Sequence, residues 1–120
     1  MQTTTFPQPK DFPFTVQDIR DAYAKLGAKP AWGVYIFEHL KRQSFCMCPL
    51  TVLAVSRAEN PEDEIKTLIE HCDTRLLAGR LGIPYAVAGH FICGFDGIQM
   101  DRLSDAYVFG EYVHVELLSV

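Results

Sequence analysis

Cys46-Met47-Cys48-Pro49 sets two thiols two residues apart, directly before a proline. Proline suits the first turn of a helix, which would place Cys48 at a helix N-terminus. Amide dipoles there favour a thiolate and lower its pKa. A second thiol nearby could resolve a sulfenic acid. The spacing differs from the Cys-x-x-Cys of thioredoxin-like sites, and no βαβ pattern surrounds it. The plainer reading, and the one adopted, is that Cys46 and Cys48 are small apolar packing residues leading into a buried helix.

The other potential ligands for a metal are His71, Cys72, His90 and Cys93. His90 and Cys93 lie three apart on a predicted helix and could share a face. No zinc spacing is present, and neither a metal nor another cofactor is expected. His39 and His114 have no ligand pattern near them. Asp96, in Gly94-Phe95-Asp96-Gly97, falls at the C-terminal end of a predicted helix, where the dipole disfavours a carboxylate. It calls for a compensating partner, either the amides of another turn or an arginine such as Arg75 or Arg80. No phosphate-binding loop, dinucleotide fingerprint, calcium loop or nucleophile elbow occurs. The candidate pocket is therefore the corner where Cys46, Cys48, His90, Cys93 and Asp96 could meet, with no residue assigned a catalytic role.

These residues need elements to hold them. Thr15 is a predicted N-cap, followed by Ile19, Ala22, Tyr23 and Leu26 at helical spacing and by Gly27 as a left-handed stop. Trp32–Cys48 fits either a helix or a hairpin. Its β-favouring residues select a hairpin that bends within His39–Ser44 and returns through Phe45–Cys48. Leu50–Arg57 is nearly all apolar and predicts a short buried helix. Asn60 caps the next helix, with Glu62, Asp63 and Glu64 complementing its dipole. Ile65, Leu68, Ile69, Cys72 and Leu76 form its expected core stripe, and Gly82 its end. From Pro84 a fifth element carries Ala88, Phe91, Ile92 and Phe95 on one face. Its small residues Ala86, Gly89 and Cys93 would let a neighbouring backbone approach. A final helix starts at Ser104 and Asp105, although Tyr112–Leu117 also alternates as a strand would.

The fold class is thus α+β, mainly α: about five helices and a short hairpin, with an all-helical bundle as the alternative. Residues 1–14, with Pro7, Pro9 and Pro13, read as an extended arm, and 15–120 as a single domain. Phe6, Phe12 and Phe14 are expected to tack the arm onto the domain surface.

The chain has 120 residues, 48% of them hydrophobic, enough for a core without staples. Eleven Lys and Arg against fifteen Asp and Glu give a net charge of −4, which disfavours nucleic acid. Met1–Lys10 does not read as a secretory signal, so reduced thiols and a cytoplasmic location are expected. No apolar run reaches the ~20 residues of a membrane span.

The run Gly33-Val34-Tyr35, Cys46-Met47-Cys48-Pro49-Leu50, Gly94-Phe95-Asp96-Gly97 and a last helix with Tyr107 and Gly110 resembles a loose group of small uncharacterised bacterial proteins. That group carries Cys-Cys-Pro-Leu and Gly-Phe-Asp-Gly patterns, and here Met47 splits the cysteine pair. The resemblance implies a shared fold and supports the hairpin, but implies no activity. A small chain without a catalytic constellation and rich in Tyr and Phe reads as a non-enzymatic interaction or regulatory protein. Its partner would be another protein or a second copy of itself. The alternative is a thiol-redox or metal-binding protein using Cys46 and Cys48.

Overall fold

A computed structural model describes residues 8–31, 35–39, 44–100 and 103–118. Among these, the chain forms α1 (Val16–Leu26), β1 (Lys29–Pro30), β2 (Ile36–His39), β3 (Ser44–Met47), α2 (Pro49–Ser56), α3 (Pro61–His71), α4 (Thr74–Leu81), α5 (Tyr85–Asp96) and α6 (Asp105–Leu118). The fold is mainly helical with a small sheet, as predicted.

The caps follow the sequence. The Thr15 hydroxyl accepts from the Asp18 amide, and the Asp18 carboxylate accepts from the Thr15 amide, a complete capping box. Asn60 accepts from the Asp63 amide at the start of α3. Gly27, Gly82 and Gly97 all take positive φ at helix ends. The predicted hairpin is β2 and β3, antiparallel with Ile36 opposite Met47 and Phe37 opposite Cys46. Its expected bend at 40–43 lies outside the described residues, as do Phe6 and Trp32. A two-residue strand that patterning did not reveal, β1, pairs in parallel with β3, giving the order β1-β3-β2.

The long helix expected over 60–82 is two helices. Cys72 turns extended at ψ 129°, and Asp73 caps α4 through its side chain, 2.7 Å from the Leu76 amide. Asp is a strong N-cap and competes locally with helix continuation. The break also rotates the expected core stripe. Leu68 is fully buried, but Ile69 is 52% exposed.

The described part of the arm, residues 8–14, also differs from its expected form. It turns at Lys10-Asp11, with Asp11 at φ 63° and the Phe12 amide donating to the Pro9 carbonyl. The Gln8 side-chain amide donates to the carbonyls of Phe12 and Phe14, 2.6 Å to each. Phe12 and Phe14 do not rest on the surface. Both are buried in the core. Phe12 stacks on Phe91 with ring centroids 4.6 Å apart and meets Phe109 edge-on at 5.7 Å. Such aromatic pairs add ~0.5–1.5 kcal/mol each beyond the area they bury.

Phe91 and Phe109 belong to α5 and α6, which cross in close contact. A Cβ on Gly94 would overlap the Tyr107 carbonyl oxygen, and one on Gly110 would overlap the Phe91 carbonyl oxygen. The close approach expected at Ala86, Gly89 and Cys93 therefore occurs instead on the face carrying Gly94. Around Gly89 the space is open.

Three outcomes follow for urea unfolding. Gly94→Ala and Gly110→Ala each lose at least about 2 kcal/mol, because helix backbone must move to admit the methyl. Gly89→Ala loses nothing and gains up to about 1 kcal/mol from helix propensity. Phe12→Ala costs about 3–5 kcal/mol, the range for a large core aromatic. A loss under 1 kcal/mol there would mean that the arm is not part of the core.

Candidate functional site

One face of α5 carries Tyr85, Gly89, Ile92, Cys93 and Asp96, spaced at 4, 3, 1 and 3 residues. This face lines a recess of about 410 Å³, closed by Tyr35 before the hairpin, Cys48 before α2, Thr74 in the first turn of α4, and Ile98. The volume lies within the range of small-ligand sites. Tyr85 and Ile98 are 54% and 51% exposed, so their apolar surfaces flank an open mouth. A second concavity of similar size lies among the arm, α1 and α2, and brings Asp18, Asp21, Lys25 and Arg57 to one open groove.

Hydrogen bonds fix the recess wall. The Tyr35 and Thr74 hydroxyls are 2.7 Å apart, tying the start of the hairpin to α4. The Cys48 amide donates to the Tyr35 carbonyl at 2.9 Å. The Tyr23 hydroxyl donates to the Met47 carbonyl, anchoring β3 to α1. The wall therefore joins three segments far apart in sequence.

The recess brings together three of the five sequence candidates: Cys48, Cys93 and Asp96. Cys46 is half-buried on β3 and does not line it. His90 points elsewhere. Its Nδ1 lies 2.8 Å from the Ser104 hydroxyl, which also accepts from the Tyr107 amide at the start of α6. His90 and Cys93 thus share a helix but no site. Among the described residues, no three His, Cys, Asp or Glu side chains converge as a metal site requires.

The helix start at Cys48 does what the sequence suggested, but burial outweighs it. The amides of Leu50 and Thr51 and the Thr51 hydroxyl, 3.2 Å from Sγ, all favour the thiolate. Cys48 is only 2% exposed, and loss of solvent still pushes the thiol up, with the charge of Asp96 adding to the shift. Cys93 is raised by the same two causes in the same order. Burial pushes Cys72 up to about 12, helped by Cys48 and opposed by Thr51. Cys48 is therefore a packed thiol whose pKa lies above the ordinary value.

The arginines proposed to balance Asp96 have other contacts. Arg80 pairs with Glu64 at 3.0 Å, bridging α4 to α3 across the Cys72 break. The Arg75 guanidinium lies 4.7 Å from the centre of the Tyr85 ring. Tyr35, Thr74 and Tyr85 are lining residues that the sequence reading missed. Tyr85 was accessible to it, one turn before Gly89 on the same face. Tyr35 and Thr74 reach the recess only through the tertiary fold.

Thiol ionisation couples to stability with a definite sign. The unfolded chain loses the Cys72 proton near the ordinary 9.0, whereas the folded chain holds it to about 12. The Cys72 contribution is complete below pH 9 and is lost as pH rises toward 12. Urea midpoints at pH 8, 9.5 and 11 should fall with pH, and fall less steeply in Cys72→Ser. In the native protein at pH 7.5, an aromatic disulfide reagent should label Cys48 only as fast as the chain opens. Rapid stoichiometric labelling would contradict the sealed environment.

The chain matches no family model, no curated protein and no solved structure.

Proposed function

We propose that this protein is a non-enzymatic interaction or regulatory protein that recognises its target through the recess between the hairpin, α4 and α5. One observation carries the reading: a volume of about 410 Å³ has polar groups on its wall and two half-exposed apolar side chains, Tyr85 and Ile98, at its mouth. Binding sites combine apolar surface with a few placed polar groups in this way. The wall is held by the Tyr35–Thr74 hydrogen bond and by α5, so it is formed before any target arrives. Its two thiols are held protonated by burial and by Asp96, which supports recognition over thiol chemistry.

Gly89 gives a direct test. It lines the recess and has open space where a Cβ would stand. Gly89→Leu should therefore fill the recess while keeping the fold. Backbone-amide NMR of the full chain, titrated with small amines, alcohols and carboxylic acids, should show saturable shifts at Tyr35, Thr74, Gly89 and Cys93. Those shifts should vanish in Gly89→Leu. Shifts that persist unchanged in that variant, or no saturable shift with any compound, would end this reading.

A further inference from the structure

The groove where the arm, α1 and α2 meet shares no lining residue with the recess. On its α1 side, Asp18, Asp21 and Lys25 stand at i, i+3 and i+7 and so lie on one face of the helix. On its α2 side are Leu53 and Ser56, followed by Arg57 as the C-cap. The buried members of the lining, Phe14, Ala22 and Leu53, are apolar and form a floor. The volume is about 410 Å³, within the range of small-ligand sites.

Four charges of both signs thus border one groove, and they do not pair with one another. The ion pairs among the described residues are Arg20–Glu116, Glu70–His71 and Glu64–Arg80, and none includes a charge of the groove. Each groove charge instead has one uncharged partner that positions it and leaves capacity over. Lys25 Nζ donates to the Ser56 carbonyl at 2.7 Å, and an ammonium has two further donors. The Arg57 guanidinium lies 5.3 Å from the centre of the Phe14 ring, and a guanidinium carries five N–H donors. Asp18 accepts through Oδ2 from the Thr15 amide at 2.9 Å, and Asp21 through Oδ1 from the Gln17 side-chain amide at 2.8 Å. Each carboxylate keeps a second oxygen.

The C-terminal end of α2 explains why both cations stand there, since the helix dipole favours them. It does not use their remaining donors. A ligand of a single charge would meet its own sign in this groove. A ligand carrying both signs would meet a partner for each.

We infer that the groove binds a zwitterion. Arg57 and Lys25 hold its carboxylate, Asp18 and Asp21 its ammonium, and Phe14 and Leu53 receive an apolar side chain. A free amino acid and a short peptide share this chemistry. The inference is independent of the recess.

The test compares leucine with leucinamide, which lacks the carboxylate, and with 4-methylpentanoate, which lacks the ammonium. It is run at about pH 6.5, where the amines and carboxylates concerned are charged. Backbone-amide NMR of the full chain should show saturable shifts at Asp21, Lys25, Ser56 and Arg57. Leucine should bind at least tenfold more tightly than either analogue. Arg57→Gln should weaken leucine at least fivefold and leave leucinamide unchanged. Asp21→Asn should weaken leucine to a similar degree and leave 4-methylpentanoate unchanged. Both positions are exposed. If either variant does not fold, the three-ligand series on the unaltered chain decides the matter. Gly89→Leu should leave every groove shift in place, and shifts that vanish in it would belong to the recess and overturn the assignment. A smaller preference for leucine over either analogue, or no saturable shift, would also overturn it. Leucyl-leucine identifies the source. Affinity equal to or above that of leucine indicates a peptide, and lower affinity indicates a free amino acid.

Discussion

The close crossing of α5 and α6 is the constraint around which the rest of the structure is arranged. Gly94 and Gly110 remove the two side chains that would hold the helix backbones apart. With the helices in contact, Phe91, Phe95 and Phe109 are brought into one buried group, and Phe12 of the arm stacks into it. Phe12 and Phe14 of the arm are therefore part of the core. A helix that commits one face this tightly has a fixed rotation. Its opposite face, carrying Tyr85, Gly89, Cys93 and Asp96, is presented to the hairpin and α4 with little freedom to turn away. The recess is a consequence of that rotation.

The chemistry at Cys48 shows how two local effects are weighed by burial. A helix N-terminus beside a thiol is the usual recipe for a reactive cysteine. The amides of Leu50 and Thr51 supply it here. But α2 is buried from Pro49 to Val55, so the thiol at its start is buried with it. A thiolate there loses its hydration, and a few partial charges do not replace what water provided. The carboxylate of Asp96 adds to the penalty. A site rich in sulfur thus becomes a neutral wall beside one acceptor.

Helix ends were the most legible part of the chain, because capping is a local exchange between one side chain and the next turn. Thr15, Asn60, Gly27, Gly82 and Gly97 all sit where their residue types require. Asp73 belongs to the same class, and its signal was present. The apolar spacing of Ile65, Leu68, Ile69, Cys72 and Leu76 ran across it and masked the break. The hairpin was legible because β-favouring residues such as Ile36, Phe37, Phe45 and Cys46 flank a polar stretch of sequence. Strand β1 was not, since two residues carry no period and Lys29 and Pro30 pair only because β3 lies beside them.

By itself the sequence determined the helical class, the hairpin, the caps and the one-sided face of α5 that holds Gly89, Cys93 and Asp96. These depend on periods of two and 3.6 residues and on contacts within a turn. The tertiary structure alone decided that Cys48 and Asp96 share a recess while Cys46 and His90 do not. It also decided that Tyr35 and Thr74 close that recess and that burial raises the pKa of a thiol at a helix start. Those outcomes depend on segments tens of residues apart and on how much water each group loses, and neither quantity is written in local spacing.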